Sequence, residues 1–153
     1  FQFNGAVAMN TYLPWTVDTV QNMAGMFNNC NKFKGRGLEQ WNVENVEFMN
    51  YMFYANYNLS PDLSHWNTRR LEQMEYMFYL ASGFNGNISN WKVGSVKNMD
   101  HSFADAKSFN QNLCQWGGQL PNDVKINQVF AGSGCTNATD PITLVDGPWC
   151  QEC

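Results

Sequence analysis

The chain has 153 residues, 44% of them hydrophobic and 15% aromatic, with only 14% charged and a formal net charge of −4. Such a length makes one ordinary domain with a sizeable core, and scattered weak charge without a basic stripe excludes nucleic acid as a partner. No run of eighteen apolar residues occurs and the chain opens on Phe1, so no membrane span and no signal peptide are expected, and the chain reads as a mature product or a piece of a longer one.

Residues 1–14, FQFNGAVAMNTYLP, do not share the later spacing and are expected to form a partial repeat or cap. From Trp15 the register locks: Trp15, Trp41, Trp66, Trp91 and Trp116 fall 26, 25, 25 and 25 residues apart. A fixed period of this size means that one supersecondary unit is stacked several times. Apolar residues follow each Trp at fixed offsets, as in Trp41, Val43, Val46, Met49, Met52 and Phe53.

Within each unit the pattern changes period. Leu38, Trp41 and Val43 read as a short strand, because residues two apart share a face. From Val46 the apolar steps of three, three and one read as a helical stripe, with Thr19, Asn45 and Ser95 as N-caps and Arg70 breaking the cap in the third copy. A return loop follows, in which Cys30, Ala81 or Ala106 fills a tight place and Phe84 or Phe109 plugs the gap between coils. The expected fold is α/β: a leucine-rich-repeat-like solenoid of about five 25-residue strand-helix units with a parallel sheet. Residues 15–134 form the solenoid and 135–153 a cysteine-rich C-terminal cap.

The segments FNGNISNWKVGSVKNMDHSF (84–103) and FNQNLCQW (109–116) carry a recognisable phrase. It resembles the Phe-Asn-x-x-Leu-x-x-Trp-x-Val-x-x-Val-x-x-Met-x-x-Met-Phe repeat of the BspA-like leucine-rich-repeat surface proteins, also described through Mycoplasma lipoprotein-type repeats. The departures are Thr68 and Leu71 for the valines, Ser102 for the second Met, and a two-residue insertion after Trp116. The resemblance implies adhesion or another surface interaction and implies no catalytic residue.

Four of the five cysteines, Cys114, Cys135, Cys150 and Cys153, crowd the last 40 residues, where the open end of a repeat stack needs sealing. One or two disulfides are expected there, with a mild preference for Cys114 with Cys135; three pairings are open. Asn58, Asn87 and Asn137 head glycosylation acceptor triplets, with Pro61 behind the first making its use less favourable. Cysteines and triplets together favour a secreted or cell-surface location.

The search for chemistry finds little. Cys150 and Cys153 have metal-like spacing but lack a second pair, so no metal and no cofactor is expected. His65 and His101 replace ordinary repeat residues and read as members of surface rows; Asp62, Glu72, Glu75 and Asp105 scatter over different repeat positions. The methionine rows lie on the core stripe. Tyr51 and Tyr76 fall about 160° from the centre of that stripe on a helical wheel, at ~100° per residue, and should face solvent, with Tyr54 and Tyr79 on the same outer surface. Aligned exposed aromatics mark contact surfaces for proteins or sugars. Two polar rows, Gln40, His65, Asn90 and Gln115 beside Thr16, Asn42, Asn67 and Lys92, are expected on the open sheet face.

The sequence thus points to a non-enzymatic module for adhesion or assembly with other proteins or copies of itself, as a subunit of an extracellular filament or part of a larger surface protein. A glycan-binding receptor module is the alternative, and an enzyme with an unrecognised site the second.

Overall fold

In each repeat the polypeptide alternates between two uses of its backbone N–H groups. Met49, Tyr51, Phe53 and Ala55 donate to the carbonyls of Gln73, Glu75, Met77 and Tyr79 in the next coil at 2.8–3.1 Å, whereas Met52, Tyr54 and Asn56 close turns onto Met49, Tyr51 and Phe53 at 3.1–3.3 Å. A computed structural model describes this arrangement for residues 11–153. The same alternation recurs from Met23, Met74 and Met99, and four isolated parallel bridges (Asn22 to Phe48, Phe48 to Gln73, Gln73 to Asn98, Asn98 to Lys125) tie five coils together.

This corrects the expected α/β fold. Among the described residues regular helix is confined to a 3-10 turn, Leu38–Gln40, and one α-helical turn, Cys114–Gly117; no strand or sheet forms. The predicted strand around Leu38 to Val43 begins as that 3-10 turn, and the predicted helix from Val46 is a run of overlapping β-turns. The reason lies in φ. Tyr51 (58°) and Ala55 (53°) are left-handed, as are Tyr76 and Leu80, His101 and Asp105, and Gln128 and Gly132. A left-handed residue at the third place of a tight turn reverses the chain and cannot belong to a right-handed helix. Overlapping turns still return residues three apart to one side, so the apolar stripe looks helical.

The N-cap assignments fail for the same reason. Asn45 Nδ2 donates to Asp18 O at 2.7 Å and Ser95 Oγ to Arg69 O at 2.9 Å, so both side chains join neighbouring coils. Arg70 pairs with Glu47 at 3.1 Å in a similar cross-coil contact. The expected N-terminal partial repeat falls, for residues 1–10, outside the described residues.

Inside the stack, like residues sit on like. Phe27, Phe53, Phe78, Phe103 and Phe130 form a buried spine with ring centroids 5.4–5.8 Å apart, and Phe33, Phe84 and Phe109 stack against it at 4.2–4.5 Å. Pairs of this kind contribute about 0.5–1.5 kcal/mol beyond their burial. Trp66 and Trp91 send indole N–H groups to the Leu38 and Leu63 carbonyls of the preceding coil. The departures from the repeat phrase are satisfied where they are buried: Thr68 Oγ1 exchanges hydrogen bonds with the Lys92 backbone, and Ser102 Oγ lies 2.7–2.8 Å from the Met74 and Met99 carbonyls. Cys30 is fully buried in the spine.

The C-terminal end is pinned by two disulfides, Cys114–Cys153 and Cys135–Cys150, so the preferred Cys114–Cys135 pairing is wrong. The repeat register places Cys114 beside the chain end rather than beside the last coil: Leu113 N donates to Trp149 O and Asn137 N to Cys150 O. Buried Trp149 meets Phe130 edge-on at 6.3 Å and closes the spine. Gly117 lies under this segment, where a Cβ would collide with Leu144 O.

Candidate interaction surface

The left-handed residues decide what the outer surface carries. Tyr51, Tyr76 and His101 occupy the same turn position in three successive coils, at φ of 58°, 56° and 57°. Because coils are about 4.8 Å apart, as neighbouring hydrogen-bonded chains are, their rings stack face to face: Tyr51 on Tyr76 at 4.9 Å and 7°, Tyr76 on His101 at 4.7 Å and 4°. His101 Nε2 reaches Gln128 Oε1 at 3.1 Å, continuing the column into the fifth coil. Tyr54 and Tyr79 form a second column at 5.1 Å, braced by the first through Tyr51–Tyr54 (5.9 Å) and Tyr76–Tyr79 (5.5 Å).

The four predicted tyrosines are thus brought together, and His101 joins them. Their exposure differs from the helical-wheel expectation: Tyr51 is 36% exposed, while Tyr54, Tyr76, Tyr79 and His101 are half-buried against one another. The Tyr51 phenol is held above its ordinary pKa by burial and by the adjacent Tyr76 and Glu75. Glu75, one residue before Tyr76, is raised by burial and by Asp100, and its Oε2 is buried without a hydrogen-bond partner.

The polar rows have a different setting from the one expected, since there is no sheet face. Gln40, Asn42, His65, Asn67, Asn90 and Lys92 are all exposed. Asn42 and Asn67 turn their Oδ1 onto the backbone N–H two residues on, at Glu44 and Arg69, and Gln40 Oε1 accepts from Tyr12. Asp62, Asn87, Asn112 and Asn137, 25 residues apart in sequence, make the same turn with Ser64, Ser89, Cys114 and Thr139. This explains the abundance of Asn: a short amide side chain mimics a backbone turn at each corner of the coil.

Of the acceptor triplets, Asn58 and Asn87 are exposed, with Asn58 Nδ2 donating to Asn31 O. Asn137 is half-buried and bonded to Glu152 Oε1 at 2.7 Å, inside the disulfide-pinned end. An open groove of about 510 Å³ runs past Asn87 between Pro61, Asp62, Asn85 and Gly86; bonds from Ser64 hold the Asp62 carboxyl below the usual carboxylate range. Among the described residues no cluster of three His, Cys, Asp or Glu is placed to hold a metal, and no helix is long and apolar enough to cross a membrane.

Sequence reasoning missed Asp140. Its carboxylate accepts from Gln128 N and Val129 N at 2.7 and 2.8 Å, standing where a sixth coil would present carbonyls. Its one signal was an acidic residue just beyond the last repeat.

These features define a repeat protein of stacked turns whose outer surface is an array of like side chains. Residues 1–138 match the model of the family described as Mycoplasma protein of unknown function, DUF285, and the chain belongs to that family. Neither a curated protein nor a solved structure matches the chain.

Proposed function

We propose that this chain is a non-enzymatic module of the BspA-like surface type, secreted or displayed at a cell surface, that adheres to or assembles with other proteins through its outer ring columns. The observation that supports it is the stacking of Tyr51, Tyr76 and His101 beside Tyr54 and Tyr79. Rings locked in columns lose little rotamer freedom on binding, so they suit contact anchors. The two disulfides favour an oxidising compartment, and the repeat phrase resembles that of surface proteins.

The test changes Tyr51, Tyr54, Tyr76 and Tyr79 together to Ser. Sedimentation and binding to intact cell surfaces should both fall at least tenfold, with the circular dichroism spectrum and both disulfides retained. Unchanged self-association together with unchanged cell binding in a folded variant would sink the proposal.

A further inference from the structure

We infer that the open face of Tyr51 is a subsite for one sugar ring of a neutral glycan. The inference rests on the contact reading above and names what the outer surface holds at the end of its longer ring column.

Tyr76 has both faces covered, by Tyr51 at 4.9 Å and by His101 at 4.7 Å, and His101 is followed by Gln128. Tyr51 is covered on one face only. Its counterpart in the preceding coil is Gly25, whose N–H donates to Asn50 O at 2.8 Å and which has no side chain to place over the ring. Gly25 has φ of 64°, the turn conformation of Tyr51 itself, so the backbone continues the column while the ring is missing. This is why Tyr51 is exposed where Tyr76 is half-buried.

The surroundings choose the occupant. Asn28 holds, in the first coil, the place of Tyr54 and Tyr79; Asn29 Nδ2 bonds Asn28 Oδ1 at 2.7 Å, and Asn50 adjoins Gly25. A protein aromatic anchor calls for an apolar collar that excludes water. Here the collar is amide, offering donors and acceptors suited to ring hydroxyls, while the single aromatic face suits the C–H face of a pyranose. None of these side chains is charged and the net charge is −4, which disfavours sulfated or carboxylated sugars.

The experiment titrates the whole chain with hexasaccharides of glucose, mannose, galactose and N-acetylglucosamine, and with a sulfated galactan hexasaccharide, read by saturation-transfer NMR and calorimetry. At least one neutral oligosaccharide should bind at millimolar concentration in preference to the sulfated one. Tyr51→Ala should weaken it tenfold or more, and so should Gly25→Tyr, which leaves Tyr51 in place and covers its face. Tyr79→Ala should stay within twofold. Absence of binding across the neutral panel, or wild-type binding by Gly25→Tyr, would overturn the subsite. Loss of self-association in Gly25→Tyr without any bound sugar would assign the place to a second copy and overturn it too. Either result leaves the contact proposal to stand or fall on the four-tyrosine variant.

Discussion

Ala55 holds its left-handed backbone, φ 53°, with its methyl group buried, and its N–H bound to Tyr79 O at 2.8 Å. An L-residue in that conformation carries a cost of about 1–2 kcal/mol that glycine escapes, whereas glycine at an ordinary position costs about 0.5–1 kcal/mol relative to alanine. The two alanines of this surface therefore respond oppositely. Ala55→Gly should leave stability unchanged or raise it by about 1 kcal/mol, while Ala104→Gly, equally buried and right-handed, should lower it by about 1 kcal/mol. Urea denaturation of both variants checks this; equal destabilisation would mean the left-handed turn carries no strain. At this scale the sequence was partly legible. Gly25 and Gly132 mark two left-handed positions, and Asn29 and Asp105 are residues that tolerate them. Tyr51, Tyr76, His101 and Leu80 hide the others, because inter-coil bonds and ring stacking hold them in a conformation their own propensities do not favour.

A coil of this protein is not an element in the usual sense. Each run of turns spends alternate N–H groups on the next coil and so is completed only by its neighbour. The ladder must therefore end on something, and Asp140 ends it by accepting from Gln128 and Val129. Asp140→Ala strands two amides that were bonded to a charged group, and should cost about 1.5–3 kcal/mol. Hydrogen exchange at Gln128 and Val129 should accelerate more than at Phe103, which lies one coil inward. Uniform acceleration would mean that the carboxylate does not terminate the ladder locally. Charge ladders on the flank, Glu47 with Arg70 and Glu72 with Lys97, are exposed and contribute little by comparison.

In the whole molecule stability rests on stacking order and on the covalent end. Cys114–Cys153 closes a separation of 39 residues and Cys135–Cys150 one of 15, which the chain-entropy account values at about 4 and about 3 kcal/mol. Replacing both residues of either pair by Ser should lower the unfolding free energy by amounts of that order, with the longer link mattering more. Peptide mapping under non-reducing conditions should recover these two pairs; a Cys114–Cys135 peptide would contradict the fold of the C-terminal end. The sequence by itself determined the 25-residue repeat, the residues of the aromatic spine, the outward rows of tyrosine and the cysteine-rich end, because each depends only on like residues recurring at a constant interval. The tertiary structure alone decided that the coils are turns rather than strands and helices, which cysteines pair, and that Tyr51 ends its column uncovered. An apolar stripe of period near three is shared by helices and overlapping turns, and what separates them is the destination of alternate N–H groups, a property of two coils together that no single repeat encodes.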